Sequence, residues 1–397
     1  VDSSDIAGML APHSSDHLCL LQIHFIAHMR QEFTMWDTIP LDLLLNILSF
    51  LSPDAIACAR STCRHWNACD HNELRIYPSL SNHLPRAWFV AWPARGNRSC
   101  YYVHNPVLRR WYQLPLHFLS FPVRPIASVG GFILSRITSI SSLQLNVCNP
   151  FAKKIRILPF LNLKRTNPAV GVVSCFSGTK THFQVYVAGG MTDAPLKGVN
   201  YEATWELYDS EEDKWKIVGE MPVEFAVRLT VWTSNNSVQC NGALFWITSA
   251  RAYSVISLQI DSNKWQEMSV PMADKLEFAA LVARDGGLTL VGGVRGWRAC
   301  VWKLNKGDEW ELIDMVPREL GIKLVGKKES WCKVKCAGIN GTFYLYRDIG
   351  TGMIVWRETE QKRHGWCWVE GCSIQGALVQ NVIMKGVILQ PSLLHPT

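Results

Sequence analysis

Thirteen cysteines and twelve histidines are the side chains of this 397-residue chain best suited to hold a metal or act as nucleophile and base, so their spacing is the first test for chemistry. The cysteines fall irregularly, as at Cys58, Cys63 and Cys69 and again at Cys332 and Cys336, with no C-x-x-C pair to grip zinc. The histidines are dispersed, and H-E-x-x-H, G-x-S-x-G and G-x-x-x-x-G-K-[ST] are all missing. Gly292-Gly293-Val294-Arg295-Gly296 superficially resembles a phosphate loop, yet no helix follows it, and it reads as a turn within a strand repeat. The expectation is a non-catalytic protein without metal or cofactor. Its cysteines are expected to be reduced and mostly buried, in the cytoplasm or nucleus, where the sequons at Asn97, Asn235 and Asn340 carry no glycan.

Aromatic and cationic side chains point to binding instead. Flat rings suit sugar faces, so the 17 tryptophans raise a carbohydrate-binding or enzymatic module with a helical cap as one reading. Trp111, Trp215, Trp265 and Trp310, however, recur at one place in a repeated unit, which marks them as packing residues. Trp297 differs: it lies in Arg295-Gly296-Trp297-Arg298, between strands, where aromatic and Arg side chains make interface anchors. Arg251, Tyr253, Arg295, Trp297, Arg298 and Arg347 are the candidate target-contacting residues, because loops on a rigid scaffold carry recognition. The formal charge of +7 is scattered, a weak footprint for nucleic acid but one compatible with an acidic or phosphorylated protein segment.

What must position these residues is a large core, which 48% apolar and 18% charged composition can supply. Residues 1–34 are expected to be a disordered extension, with Met29 or Met35 an alternative start; Leu18–Ala27 is too short to span a bilayer. From Trp36 to Leu51 apolar residues stand at 40, 43, 44, 47, 48 and 51, the recurrence of an amphipathic helix. Thr38 can cap it and Pro40 suits its first turn. Ser52-Pro53-Asp54 then begins a second helix with Ile56 and Ala59 inward, and Cys63 to Cys69 a third that brings Trp66 onto the others. So small a core leaves apolar surface for a partner or for the next domain.

The pattern Trp-Asp-x-Ile-Pro-x-Asp-Leu-Leu-x-x-Ile-Leu-x-x-Leu, closed by Cys63-Arg64-His65-Trp66, resembles the F-box. The resemblance implies that Ile39, Pro40, Leu43, Leu44, Ile47, Leu48 and Leu51 lie against a Skp-type linker protein or in the segment's own core. Leu41 departs from the pattern, since many members have an acid there.

Beyond residue 86 the helical period gives way to a unit of about fifty residues, built as strand, polar turn, Trp-bearing strand and Pro. It runs through Tyr102 to Pro115, Leu145 to Pro159, Leu207 to Pro222, Leu258 to Pro271 and Val301 to Pro317, and more loosely through Val355 to Trp368, with Ile155 in place of the second Trp. Gly-marked apolar strands such as Val185 to Gly190 and Leu290 to Gly293 precede most units. Short strands at this period make the blades of a β-propeller, here about six. An isolated blade cannot cover both its faces, so the β-rich tail from Gly376 to Gln390 is expected to complete the first blade and close the ring.

The double glycines and the Trp some twenty-five residues later resemble kelch repeats. The expected layout is an F-box of three helices over 35–76, a linker over 77–85, a six-bladed kelch-type propeller over 86–391 and a tail over 392–397. The combined resemblance, common in plants, implies a non-catalytic substrate adaptor of an SCF ubiquitin ligase, with an F-box protein acting in assembly or transport without ubiquitination as the alternative. The adaptor would reach the cullin and RING subunit through the linker, with an unidentified protein as target and neither nucleic acid nor membrane as partner.

Overall fold

In the computed structural model the chain divides into two compact units, Val1–Asn82 and His83–Thr397. The structure describes residues 87–390 apart from short segments (94–99, 107, 178–179, 194–198, 297, 329, 340, 359–363, 375 and 380–383), and Ile39, Pro40, Leu43, Leu44, Ala59 and Trp66 of the first unit. In that unit the backbone N–H of Leu44 donates to Pro40 (3.0 Å), the first turn of a helix, and Leu44 packs with Ala59, Ile39 and Trp66.

The second unit is a ring of six four-stranded antiparallel blades. Blade 1 takes β1 (Trp88–Pro93), β2 (Cys100–Asn105) and β3 (Arg110–Pro115). Blade 2 is β4 (Val123–Val129), β5 (Phe132–Ile137), β6 (Leu145–Asn149) and β7 (Lys154–Ile157). Blade 3 has β8 (Ala169–Ser177) and β9 (Lys180–Ala188), a small hairpin of β10 (Met191–Asp193) and β11 (Val199–Tyr201), then β12 (Thr204–Asp209) and β13 (Lys214–Glu220). Helix α1 (Val223–Val231) leads to blade 4: β14 (Thr233–Cys240), β15 (Ala243–Thr248), β16 (Ser254–Gln259) and β17 (Lys264–Ser269). Blade 5 is β18 (Leu276–Arg284), β19 (Gly287–Val294), β20 (Ala299–Leu304) and β21 (Trp310–Met315). After α2 (Arg318–Val325) comes blade 6, β22 (Lys335–Ile339), β23 (Thr342–Tyr346), β24 (Met353–Glu358) and β25 (His364–Val369). A short hairpin of β26 (Ser373–Ile374) and β27 (Ala377–Leu378) precedes β28 (Met384–Leu389).

β28 pairs antiparallel with β1, Trp88 opposite Leu389 through Pro93 opposite Met384, and so supplies the innermost strand of blade 1. This closes the ring between blades 6 and 1 as the tail's β-rich composition leads one to expect, and it leaves no open sheet face at either end. The innermost strands are then β28, β4, β8, β14, β18 and β22, each touching the next.

Local chemistry explains the blade. β1, β2 and β15 are buried at every residue, being covered on both faces, whereas the outer strands β3 and β17 show mixed burial. In blades 1 to 5 the turn into the outer strand has a residue at positive φ: Arg109, Lys153, Asp213, Asn263 and Asp308. A carboxamide or carboxylate at the end of the preceding strand fixes several of these turns. Asn105 Oδ1 accepts from Leu108 N, Asn149 Oδ1 from Phe151 N and Ala152 N, and Asp209 Oδ1 from Glu211 N.

The outer-strand tryptophans join blades. Trp215 Nε1 donates to Pro159 O (2.9 Å), Trp310 Nε1 to Ser269 O (2.9 Å), Trp111 Nε1 to Glu370 O (3.1 Å) and Trp366 Nε1 to Asp314 Oδ2 (3.1 Å), each on the preceding blade. Trp265 stacks on Trp246 and meets Trp205 of blade 3 edge-on. In blade 2 Ile155, where a Trp would stand, joins the cluster shared with blade 1. Gly293 makes one junction possible: a Cβ there would lie 2.4 Å from the buried Trp331 ring. Its neighbour Gly292 is similarly crowded by Leu276.

Candidate functional site

Antiparallel alternation sends the start of every innermost strand, the loop after every second strand and the link between blades to one face of the ring, here termed the leading face. Arg251, Tyr253, Arg295, Arg298 and Arg347 all follow second strands of blades 4, 5 and 6, so the fold gathers them on that face although they span almost a hundred residues of sequence.

Their situations differ. Arg251, Arg295 and Arg298 are exposed. Tyr253 is half-buried, its hydroxyl reaching Glu277 O of blade 5 (3.5 Å), and burial pushes its pKa up. Arg347 donates through Nη1 to Leu324 O (3.2 Å) and Val325 O (3.0 Å), closing the C-terminal end of α2, where carbonyls lack helical partners. The side chain of Trp297 lies outside the described residues. Beneath its loop, Trp331 Nε1 donates to Gly296 O (3.0 Å), which anchors the turn that presents Arg295 and Arg298.

The structure adds cations that no local pattern singled out. Arg124 in β4, Lys335 opening β22 and Lys385 in β28 stand at the beginnings of innermost strands of blades 2, 6 and 1, three consecutive blades. Arg136 is directly opposite Arg124 across the β4–β5 ladder. Lys335 Nζ donates to Met384 O (2.5 Å), stitching β22 to β28 at the channel mouth. The groups feel one another: burial and then the charge of Arg124 lower the pKa of both Arg136 and Lys335. Lys385 is lowered to about 7 by burial, then by Arg124 and Lys335. The acid at the start of the blade 5 innermost strand, Glu277, is engaged, its Oε2 accepting from Ser330 Oγ (2.9 Å) and Trp331 N (2.8 Å). Near β5, Phe121, Ile140, Ile157 and Phe160 line a shallow apolar groove, with Phe160 69% exposed.

One cluster could in principle hold a cation. His182, Asp209 and Glu211 bring their donor atoms within 4.8 Å of one another. Internal bonds already use them: Gln184 Nε2 donates to Asp209 Oδ2 (3.0 Å) and Ser210 Oγ contacts His182 Nδ1 (3.1 Å). Burial would raise the Asp209 carboxyl, but the donors on it and nearby His182 hold it below its ordinary value. The described cysteines are free thiols, and Cys100, Cys148, Cys240, Cys300 and Cys372 are buried. Burial raises Cys148 and Cys372 to about 12 and Cys240 to about 11, which keeps them protonated near neutrality.

In the N-terminal unit, Leu44 is wholly buried within the segment's own small core, whereas Leu43 is 50% exposed, Pro40 is exposed and Ile39 is half-buried. Ile47, Leu48 and Leu51 lie outside the described residues.

Comparison with known proteins agrees with this arrangement. Residues 36–81 match the F-box-like domain. Over most of its length the chain is similar to three proteins of Arabidopsis thaliana. It is 25% identical to F-box only protein 6 over 80% of this chain and 65% of that protein, and so spans just under two thirds of that relative's length. It is 24% identical to Protein UNUSUAL FLORAL ORGANS (85% of this chain, 79% of that one) and 23% identical to an F-box/kelch-repeat protein (72% and 74%). Among solved structures it is similar to the SapL1 lectin in complex with alpha methyl fucoside, at TM-score 0.43 and 12% identity over 73% of this chain and 97% of that one, too distant to bear on function.

An F-box-like segment followed by a closed six-bladed propeller defines a two-part class of protein. This chain carries that F-box-like domain and is similar over most of its length to F-box and F-box/kelch-repeat proteins of a plant.

Proposed function

We propose that this chain is the substrate-recruiting subunit of an SCF ubiquitin ligase, acting in the cytoplasm or nucleus, whose F-box binds a Skp-type linker while the propeller holds a protein target. The observation that carries this reading is the F-box-like match at residues 36–81 in the same chain as a closed propeller. F-box domains generally bind Skp-type linkers, and F-box proteins with a propeller are generally non-catalytic SCF adaptors. The chain's contribution is then proximity: a tethered target meets a ubiquitin-charged enzyme at high effective concentration, with no residue here touching the transferred group.

Co-purification with the linker and cullin tests it. Wild type is expected to bind, and Ile47→Asp/Leu48→Asp to lose a micromolar complex, because an unpaired carboxylate buried in an apolar contact costs several kcal/mol. Exposed Leu43→Asp should weaken the complex while leaving the fold intact by circular dichroism, and buried Leu44→Asp should unfold the segment. A wild-type chain that never binds the linker would sink the adaptor reading.

A further inference from the structure

We propose that the channel mouth on the leading face, built by Arg124, Arg136 and Lys335, docks an anionic side chain of a peptide segment, either a phosphomonoester or neighbouring carboxylates. The identification of that peptide as part of the recruited target rests on the adaptor reading; the anion site itself does not.

The case rests on adjacent like charges. Several cations of this propeller sit against carboxylates, Arg165 with Glu206 at 2.8 Å, Arg228 with Glu267 at 2.8 Å, Arg156 with Asp213 at 2.9 Å and Lys323 with Glu370 at 3.2 Å. Those at the mouth stand beside one another instead. Arg124 is exposed, and Arg136 has a buried Nε without a hydrogen-bond partner. Among the described residues neither Arg124 nor Arg136 has a carboxylate at ion-pair distance. Lys335 spends one donor on Met384 O, and an ammonium has three. Like charges held together without counter-charge oppose folding, so an anion that enters among them gains charge-assisted hydrogen bonds and relieves repulsion. Burial and then the charges of Arg124 and Lys335 lower the pKa of Lys385 beside them.

The placement favours a compact anionic group over a nucleic-acid backbone. Arg124 opposite Arg136 on β4–β5 and Lys335 bonded to the start of β28 belong to strand starts of three neighbouring blades, a short arc of the ring. Exposed Arg251, Arg295 and Arg298 on the same face can meet further acidic residues flanking the anchor.

Fluorescence anisotropy on the full chain, co-expressed with its Skp-type linker, tests this with four labelled probes: a Gly-Ser peptide bearing one phosphoserine, its unphosphorylated form, an octaglutamate peptide and a ten-residue oligothymidylate. The phosphopeptide, the octaglutamate or both should bind, and salt should weaken them. Which of the two binds identifies the source of the anion. Arg124→Gln, which forfeits no hydrogen bond, and Arg136→Gln should each weaken binding about tenfold, while Lys264→Ala on the exposed part of β17 should leave it unchanged. Failure of both anionic peptides overturns the proposal. So does an equal loss in Lys264→Ala, or an oligothymidylate that binds tighter and with the same dependence on Arg124. Linker binding is read on the same preparations: a chain that binds linker but no anionic peptide removes the site and spares the adaptor reading, and the converse removes the adaptor reading and spares the site.

Discussion

At the scale of single residues, the ionisable groups show how burial sets behaviour. The Lys385 ammonium ordinarily titrates near 10.5 and is lowered to about 7 in the fold. Between those values the unfolded chain binds the extra proton, so this group makes the protein more stable as pH rises above 7 and costs most below it. His104, lowered to about 4 by burial and then by Arg357, acts in the same sense at lower pH. The buried thiols of Cys148, Cys240 and Cys372 act in the opposite sense once unfolded thiols ionise, which limits a clean window to pH 7 to about 8.5. Across that window the melting temperature of Lys385→Met should rise less with pH than that of wild type. Parallel slopes for the two proteins would show that Lys385 does not titrate there.

Elements are held in place by a few polar locks as much as by apolar faces. The link between blades 2 and 3 is pinned by Glu206, wholly buried in β12, whose carboxylate accepts from Asn162 N (2.8 Å), Leu163 N (3.2 Å) and Arg165 Nη2 (2.8 Å). Arg165 in turn donates to Gly189 O and Thr204 O, each at 2.9 Å. Such a pair is weak evidence for net stability, since desolvation offsets much of the attraction, but removing one partner strands the other. Glu206→Leu should therefore destabilise the propeller by about 3–5 kcal/mol in denaturant titration, and Arg165→Met/Glu206→Leu should recover much of that. Equal destabilisation by the single and double variants would mean that packing volume, and not the stranded guanidinium, carries the cost.

For the whole molecule, closure by β28 is the decisive contact, because it joins the last residues of the ring to the first across nearly three hundred positions. Truncation before Met384 leaves β1 with an unpaired edge and removes Met384, Ile388 and Leu389 from the clusters that seal blade 1 to its neighbours. Calorimetry of the truncated chain should show a lowered, broadened transition and a tendency to aggregate, where the intact ring melts as one unit. An unchanged, single sharp transition would show that five blades and a partial sixth suffice.

Much of this was legible in the sequence because the signals are local. The strand period, the Asn or Asp that caps several outer turns and the Trp on most outer strands all act within one blade, and their repetition makes the pattern visible. The role assigned to Trp111, Trp215 and Trp310 holds, each bonding to the preceding blade. The F-box-like segment was likewise readable from one helix's worth of apolar spacing and its flanking motif. What the sequence left hidden is long-range. Arg124, Lys335 and Lys385 are separated by up to 261 positions, are unremarkable among forty Lys and Arg, and become a cluster once the ring closes. Nor does any local rule distinguish solvent-facing Leu43 from buried Leu44, or exposed Arg295 from Arg347, whose guanidinium caps α2. Strand and turn propensity is decided by neighbours in the chain; burial, pairing and field are decided by neighbours in space, and those exist only in the closed tertiary structure.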